Sequence, residues 1–582
     1  MADTVILFQD DFQSFPIGPL PFDREHSAMG EYHYSPLPGY RGQWYDPIAN
    51  CNYRGPSWLV TATDGVHYME QTRVRNPLTH GVCPVLATGE ERWQDYTFTV
   101  TLRTLCSNEE AGVLFRYQTS LMHYAFFMND NKVQFWRIEK KERTMLAEAP
   151  YEYNCDQYYT MRVTCKGNTF TGSINGEKLL TVQDDRYTYG KVALAAFMPT
   201  QYTNVLITTT PEEAARIVEC EDAEQARLAE KRSHYPRPKL YKVIDLKDFG
   251  ASRQIRFGHL MGGDDWYFVM AQHQKERYCN ISCLTAVNVE TGEVLWQVGE
   301  PSTLAVNQDT TCDLPFQIYD INNDGYDEVI FARDFKVMIL DGRTGKLLRS
   351  MDTPYNDDPA DEILGIEFQK HAFDRLNVDA IRIVNVSGKE HASDILIKDR
   401  YARLWVYDEN FNLLWKFTHN NTGHFPYAYD FNGDGKDEVF SCYNMISSDG
   451  KLQWELPIDT DHTDEIVIGK FDPDIDEELL AIVSGWEGFM IVDKHGHILA
   501  RDINGHGQRI SVANYCPNMR GLQIATTTYW ENQGIIYLYD CKGHEIWHME
   551  PSSNGNVVAP VNWKGDGTEL ILLNGNVKYG GM

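Results

Sequence analysis

Long apolar runs, a basic excess and paired cysteines are all missing from this chain of 582 residues. No segment of ~18 apolar residues occurs, so a membrane-spanning helix is not predicted. The first eleven residues, MADTVILFQDD, lack the basic start and apolar centre of a signal peptide. We therefore expect a cytoplasmic protein, or a secreted one if a leader has been removed from the chain as given.

Positive charge is also scarce, with 53 Lys and Arg against 83 Asp and Glu and a net charge of -30. Such a field repels phosphate backbones and anionic lipid, so neither a nucleic acid nor a membrane is expected as a partner. The 12 cysteines are scattered without a CxxC pair. A zinc site and a disulfide framework are therefore not predicted, and the oligomeric state is left open.

The composition is that of a folded protein, with 42% hydrophobic and 12% aromatic residues. Disorder and coiled coil are excluded, and the length predicts two or three domains. Residues 5–210 show short segments of alternating polarity, and Asn175-Gly176 between two of them indicates a tight hairpin. We predict an all-β protein whose residues 1–210 form a β-sandwich of the jelly-roll type.

Residues 211–239 are rich in Ala, Glu and Arg and end at two prolines, which predicts a helical linker. From residue 240 a unit of ~40 to 55 residues repeats, and each copy has an Asp/Gly turn and most close on Leu-x-Trp or a similar strand. Copies are visible at 286–296, 338–348, 405–415, 447–454, 491–499 and 538–547. Repeats of several strands are typical of propeller blades, so residues 240–582 are predicted to form a seven-bladed β-propeller.

Acidic turns recur within these units. The two clearest are DINNDGYDE at 320–328 and DFNGDGKDE at 430–438. Oxygen ligands at the first, third and fifth positions match the first half of a calcium loop. The predicted ligands of a structural calcium are Asp320, Asn322, Asp324, Asp430, Asn432 and Asp434. The alternative is that Asp, Asn and Gly serve here only as good turn formers.

The phrases YDINNDGYDEVI, YDFNGDGKDEVF and GHGQRISVANYCPNMRGLQI resemble the calcium-loop β-propeller lyases, namely rhamnogalacturonan lyases and rhamnose-glucuronate lyases. This resemblance covers residues 240–582 and implies a lyase acting on uronate-containing glycans. The phrases AGVLFRY, QYYTMR and NGEKLLTV are similar to laminin-G and concanavalin-like sandwiches. That second likeness concerns the fold and implies nothing about activity.

In a propeller the first strand of each blade starts near the axial funnel, so the residues at these starts are candidates for the site. Four histidines are predicted at equivalent positions, with Tyr427 as an acid partner: His259, His424, His462 and His506. The predicted substrate-binding residues are Arg256, Gln508 and Arg509 near first-strand starts, and Arg333 and Arg400 near the funnel mouth. For any single histidine, core packing is the competing explanation.

Elimination from a uronate needs a neutralised carboxylate, a base that removes the C5 proton and an acid for the leaving oxygen. Histidine suits the base and arginine the carboxylate. We therefore predict β-elimination of uronate-containing oligosaccharides or polysaccharides, with His424 or His462 as the base. Two alternatives stay open: a glycoside hydrolase using Asp461, Asp464 or Asp313 as paired carboxylates, and a glycan-binding protein without catalysis.

Overall fold

The computed structural model describes most of the chain. The described residues are 4–20, 40–41, 43–47, 57–74, 83–106, 109–246, 254–273, 281–301, 315–358, 374–458, 461–532, 534–551 and 558–573.

The N-terminal region consists of antiparallel strands. They are Val5–Asp10 (β1), Gly18–Pro19 (β2), Tyr40–Arg41 (β3), Trp44–Tyr45 (β4), Trp58–Thr63 (β5), Val66–Gln71 (β6), Val85–Thr88 (β7), Thr97–Thr104 (β8), Ala111–Thr119 (β9), Met122–Asn129 (β10), Lys132–Glu139 (β11), Glu142–Pro150 (β12), Tyr159–Lys166 (β13), Thr169–Ile174 (β14), Glu177–Gln183 (β15), Lys191–Ala196 (β16) and Thr200–Thr209 (β17).

These strands form two sheets. One has the order β15-β14-β13-β8-β17-β6-β5-β2, with β1 paired to β17, and the other has the order β12-β11-β10-β9-β16-β7-β4-β3. Apolar side chains from both sheets share one core, for example Phe126 and Phe135 with Phe170. The Asn175-Gly176 hairpin is confirmed: both residues have positive φ, and they join β14 to β15.

A helix, Pro211–Ser233 (α1), follows β17. Thr210 caps its start by accepting the Glu213 N–H, and Pro211 occupies the first turn, where its missing N–H costs nothing. Lys231 and Arg232 lie in the last turn, where the helix dipole favours cations. Within the described ranges no helix has the length and apolar character needed to cross a membrane.

The C-terminal region repeats one unit, a four-stranded antiparallel sheet, and we number these sheets 1 to 6 along the chain. They are sheet 1, Gln254–Gly258 (β18), Tyr267–His273 (β19), Ile281–Asn288 (β20) and Val294–Gly299 (β21); sheet 2, Phe316–Tyr319 (β22), Glu328–Arg333 (β23), Lys336–Leu340 (β24) and Leu347–Asp352 (β25); sheet 3, Ala380–Val384 (β26), Asp394–Lys398 (β27), Arg403–Tyr407 (β28) and Leu413–Thr418 (β29); sheet 4, Tyr427–Tyr429 (β30), Glu438–Ser441 (β31), Asn444–Ile446 (β32) and Leu452–Glu455 (β33); sheet 5, Thr463–Gly469 (β34), Leu479–Ser484 (β35), Gly488–Asp493 (β36) and Ile498–Asp502 (β37); and sheet 6, Gly507–Ala513 (β38), Gln523–Thr528 (β39), Ile536–Tyr539 (β40) and Glu545–Met549 (β41). Val558–Val561 (β42) and Leu570–Leu573 (β43) form a further two-stranded sheet.

The all-β prediction is confirmed, since strands dominate the described ranges and α1 is their single α-helix. First strands of successive sheets contact one another, as β18 does with β22, β22 with β26, β34 with β38 and β38 with β42. A closed ring of seven blades stays a prediction.

The Trp of the closing strand joins sheet 1 to sheet 2, sheet 3 to sheet 4 and sheet 4 to sheet 5. Trp415 in β29 donates its indole N–H to the Ser448 carbonyl in the turn of sheet 4, at 2.9 Å. In the same turn Gly450 has φ +81, and a Cβ there would lie 2.7 Å from the Trp415 ring. Trp296 meets Gly345 and Trp454 meets Gly496 in the same way. The repeated Gly is therefore needed for the turn and for this close packing.

Gly450→Ala is expected to destabilise the protein by about 1 to 3 kcal/mol more than Gly263→Ala, because overpacking is added to backbone strain. Gly263 is the matched control, since it has φ +69 and a Cβ added there would have nothing within 4 Å. Thermal unfolding of both variants measures the difference. Equal losses would show that the indole does not constrain this turn.

The sandwich packs directly on the repeat region through a buried carboxylate. Glu550 follows β41 and is fully buried. It accepts hydrogen bonds from the Tyr117 hydroxyl at 2.5 Å and from the Ser120 N–H and hydroxyl at 2.8 Å each. Burial raises the pKa of Glu550, while these hydrogen bonds act in the opposite direction. The two regions are therefore joined by specific polar contacts.

Candidate functional site

Three of the four predicted histidines meet at the starts of first strands. His462 and His506 directly precede β34 and β38, and His424 lies three residues before β30. The ring centroid of His462 lies 4.7 Å from that of His424 and 6.1 Å from that of His506. Three consecutive sheets thus contribute one side chain each, as the register of the repeat predicts. We call these residues the histidine cluster.

Asp461 contacts one of these rings and lies near a second. Its Oδ1 lies 2.8 Å from His462 Nδ1, and its Oδ2 lies 4.0 Å from His506 Nε2. The backbone N–H of Trp486 also donates to Oδ2, at 2.9 Å. Burial acts to raise the pKa of Asp461, but the hydrogen bond and charge of His462 outweigh it, and the pKa lies below its usual range. Asp461 is therefore an ionised carboxylate that orients His462.

Gly485 makes this arrangement possible, since a Cβ at that position would lie 2.0 Å from Asp461 Oδ2. It opens a short 3-10 helix, Gly485–Glu487, whose Trp486 ring centroid is 5.3 Å from that of His506. A glycine before the aromatic residue thus lets the backbone approach the carboxylate.

Asp464 is a second buried carboxylate at the cluster. One of its oxygens lies 3.9 Å from His424 Nε2 and the other 3.9 Å from His462 Nε2. Gln508, which is fully buried, donates to Asp464 at 2.6 Å. Two groups here, His424/His462/Asp464 and Asp461/His462/His506, place their ligand atoms within 4.8 Å of one another. Either set has donors suited to a divalent metal ion.

Tyr401 is the phenol of the site. Its hydroxyl lies 3.3 Å from His424 Nε2, and its ring centroid is 4.9 Å from that of His462. Burial raises its pKa well above the usual value, so the phenol keeps its proton at neutral pH. Tyr401 can therefore donate a proton or a hydrogen bond at the cluster.

His424 is held neutral. It is only 2% exposed, and burial lowers its pKa well below 6.5, assisted by the charges of His462, Arg400, Lys398 and Arg509. Its backbone N–H donates to the Thr463 carbonyl of sheet 5 at 3.2 Å. A neutral imidazole can both donate and accept a hydrogen bond.

Cations lie next to these rings. Arg400 places its guanidinium 4.8 Å from the centroid of the Tyr401 ring and 3.6 Å from Asp379. Lys398 is fully buried and lies 3.8 Å from the same aspartate. Arg509 in β38 lies 3.4 Å from Glu465. Three cations therefore lie near His424, and each also lies near a carboxylate: Asp379 for Arg400 and Lys398, and Glu465 for Arg509.

His259 does not belong to the cluster, and its predicted equivalence to the other histidines is wrong. It follows the last residue of β18, whereas the others precede a first strand, so it lies at the opposite strand end. Its ring packs 4.1 Å from Trp266, and its backbone N–H donates to Asp327 at 2.5 Å. It fastens sheet 1 to the acidic turn of sheet 2.

The partner predicted for His424 was also misplaced. Tyr401 contacts His424, while Tyr427 packs with the core around Phe440 and Ile466, and burial raises its pKa to about 12. Tyr427 is the first residue of β30, and strand alternation directs its side chain into the packing between sheets. Gln508, which was predicted to bind substrate, is instead fully buried, and its side-chain N–H donates to Asp464 at 2.6 Å.

Two further predicted residues, Arg256 and Arg333, contact groups outside the histidine cluster. Arg256 is largely buried, donates to the Phe316 carbonyl at 2.9 Å and has a pKa lowered to about 10 by burial and by Arg382. Arg333 lies 3.2 Å from Asp334. Asp313 is outside the described residues.

The acidic turns join first to second strands, at the strand ends opposite the histidine cluster. In one turn Asp320 accepts the N–H groups of Asp324 and Gly325, and Asn322 accepts that of Asp324. Asp430 and Asn432 make the same bonds in the other turn. These hydrogen bonds are typical of a well-formed turn. The side-chain oxygens of Asp320, Asn322 and Asp324 and their equivalents in the second turn are also of the type that calcium binds.

Sequence reasoning missed Tyr401 and Trp486. Tyr401 lies between β27 and β28, directly after Arg400, and Trp486 lies in the 3-10 helix that follows β35, directly after Gly485. Neither residue belongs to the aligned phrases of the repeat. The unusual pairing of a glycine with a tryptophan after the buried strand β35 was the available signal.

Residues 42–208 match the family model of a 3-keto-alpha-glucoside-1,2-lyase-like domain. The chain is also similar to the rhamnogalacturonan lyase PL11 of Bacillus licheniformis, at 14% identity, with 79% of this chain and 83% of that one covered and a TM-score of 0.42. The rhamnogalacturonan lyase YesW is similar at 14% identity, with 81% of this chain and 83% of that one covered and a TM-score of 0.42. The carbohydrate-binding module CBM66 from Bacillus subtilis covers 29% of this chain and 96% of its own, at 13% identity and a TM-score of 0.24.

No curated protein matches the chain. The resemblance to rhamnogalacturonan lyases seen in the sequence is confirmed as a resemblance. The chemistry of the site rests on its own residues.

Proposed function

We propose that the protein is a carbohydrate-active lyase that cleaves uronate-containing oligosaccharides or polysaccharides by β-elimination. One observation carries this proposal: His462 is oriented by Asp461 at 2.8 Å, and its ring lies 4.9 Å from that of the protonated Tyr401, which the Arg400 guanidinium in turn contacts at 4.8 Å. A base, an acid and a cation are the three groups that the reaction requires.

Each residue then has a definite role. His462 holds its Nδ1 proton against Asp461, so Nε2 is the basic nitrogen and removes the C5 proton of the uronate. The C4–O bond breaks as the C4–C5 double bond forms, and the Tyr401 phenol gives its proton to the leaving oxygen. Arg400 neutralises the uronate carboxylate, which stabilises the charge that develops when C5 loses its proton.

The hydrolase alternative needs two carboxylates on either side of the scissile bond. Asp461 and Asp464 instead flank one ring, that of His462, and both accept hydrogen bonds from protein groups. This arrangement orients histidines, and we therefore place hydrolysis second.

The proposal is tested with glucuronate- and galacturonate-containing oligosaccharides, following the ultraviolet absorbance of the unsaturated product. Tyr401→Phe keeps the buried ring and removes the acid, so we expect turnover to fall by about 10² to 10⁴-fold. Tyr407→Phe in the same sheet is the control, because Tyr407 belongs to a core cluster. Saturated products would indicate hydrolysis, and binding without any product would indicate a glycan-binding protein.

We further propose that sheets 1 to 6 and the β42–β43 sheet form a seven-bladed propeller with the histidine cluster at one mouth of its axis. The contacts between successive first strands and the Trp–Gly packing between neighbouring sheets support this arrangement. We also propose that the acidic turns bind a structural calcium through Asp320, Asn322 and Asp324 and through Asp430, Asn432 and Asp434.

If calcium binds, chelation with EGTA should lower the melting temperature, since a ligand at ~100 times its Kd stabilises a fold by about 2.7 kcal/mol. The double variant Asp320→Ala/Asp430→Ala is the control, and its melting temperature should not respond to the chelator. An unchanged melting temperature of the wild-type protein in EGTA would show that these residues form turns only.

A further inference from the structure

A cavity of about 250 Å³ lies between the sandwich and sheets 5 and 6. Leu121, His123 and Lys141 of the sandwich line one side, and Trp486, Gly505 and Asn532 line the other. Pockets for drug-sized ligands measure ~300 to 1,000 Å³, so this one has room for a single sugar ring. Trp486 and Gly505 also adjoin His506, so the cavity lies beside the histidine cluster.

The turn between β11 and β12 brings the sandwich to this place. Lys140 in that turn pairs with Asp502 of sheet 5 and lies 2.8 Å from Glu545 of sheet 6, which fastens the turn to both sheets. The next residue, Lys141, donates to the Trp486 carbonyl at 2.9 Å. Because the Trp486 N–H donates to Asp461, two hydrogen bonds separate the sandwich from the carboxylate that orients His462.

Charge and polarity of the walls select the ligand. Lys141 has no carboxylate at ion-pair distance in the described part of the chain, whereas Lys140 and Arg143 are paired with acids. Burial lowers the pKa of His123 to about 4, so its ring is neutral. Its Nδ1 lies 3.2 Å from the Thr119 carbonyl, which leaves Nε2 as a hydrogen-bond acceptor. The walls thus offer an ammonium, an acceptor and an indole.

We infer that this interdomain cavity binds an acidic sugar unit of the substrate, with Lys141 recognising its carboxylate and Trp486 contacting its ring. The inference rests on the proposed function for the class of substrate, and it adds a subsite to which the sandwich contributes directly. The sugar held here is next to the one whose bond is cleaved.

Binding of sodium glucuronate to the intact protein, followed by tryptophan fluorescence and calorimetry, tests the inference with glucose as the neutral comparator. We expect glucuronate to bind more tightly than glucose, and Lys141→Met to weaken glucuronate binding by about tenfold or more. Lys141→Arg should retain binding. Lys166→Met, which changes an exposed lysine on the other sheet, should have no effect.

Trp486→Phe should remove the fluorescence change that accompanies binding while calorimetry still detects the ligand. Equal affinities for Lys141→Met and Lys166→Met, or no glucuronate binding to the wild-type protein, would overturn the inference. The binding experiment requires no turnover, so its outcome is independent of the elimination assay. Glucuronate binding that depends on Lys141, without elimination, would contradict the proposed function alone. Elimination without such binding would contradict the subsite alone.

Discussion

Replacing His462 with alanine is expected to lower turnover of the elimination by about 10² to 10⁴-fold and to leave the fold intact. The ring is partly exposed, with 23% of its side-chain area accessible, and it contributes little to the cores of the sheets. Without it no group accepts the C5 proton, and Asp461 loses the hydrogen bond that helps to keep its pKa low.

The measurement is the initial rate of formation of the unsaturated product, with circular dichroism to verify folding. His497→Ala is a matched control, because His497 Nδ1 also lies 2.8 Å from an aspartate, Asp493, but in an exposed turn of sheet 5. It should keep full activity. If His462→Ala retained wild-type turnover, the base would have to be sought elsewhere, with His424 the next candidate to replace.

Glu550→Ala is expected to weaken the docking of the sandwich on sheets 5 and 6 by about 3 to 5 kcal/mol. The substitution leaves the Ser120 N–H and the Tyr117 hydroxyl without their buried acceptor. It also removes a negative charge near Lys191, which is itself largely buried and lies 3.3 Å from the Tyr45 hydroxyl. Buried polar groups without partners are among the most costly defects in a fold.

Two measurements follow from this expectation: thermal unfolding should separate into two transitions, and protease should cut more readily between the sandwich and sheet 1. Glu148→Ala is the control, since Glu148 lies 3.2 Å from Lys132 on the exposed surface. Its loss should leave the unfolding transition almost unchanged, because an exposed ion pair is screened by solvent and contributes little. A single, unshifted transition in Glu550→Ala would show that other contacts hold the sandwich in place. If the Lys141 subsite contributes to substrate binding, weaker docking of the sandwich should also lower activity.

Local features of the fold could be predicted from the sequence because neighbouring residues determine them. Asn175-Gly176 adopts the positive φ angles of a tight hairpin, and Thr210-Pro211 starts a helix, in each case through the chemistry of one or two residues. The recurring Leu-x-Trp phrase and its Gly turn were visible as a repeat. That the indole of one sheet packs on the glycine of the next became visible only in three dimensions.

The candidate site divides in the same way. His424, His462 and His506 could be placed together from the sequence because each lies shortly before the first strand of its unit. Equivalent positions in successive units lie at the same end of their strands. His259 shares their residue type but follows its strand, so it lies at the other end. Tyr401 and Trp486 reach the cluster through loops whose paths depend on buried partners. Lys141 reaches Trp486 from 345 positions away in the chain, because the sandwich packs on sheets 5 and 6 through Glu550 and Lys140. Long-range packing of this kind leaves no periodic signal in a sequence.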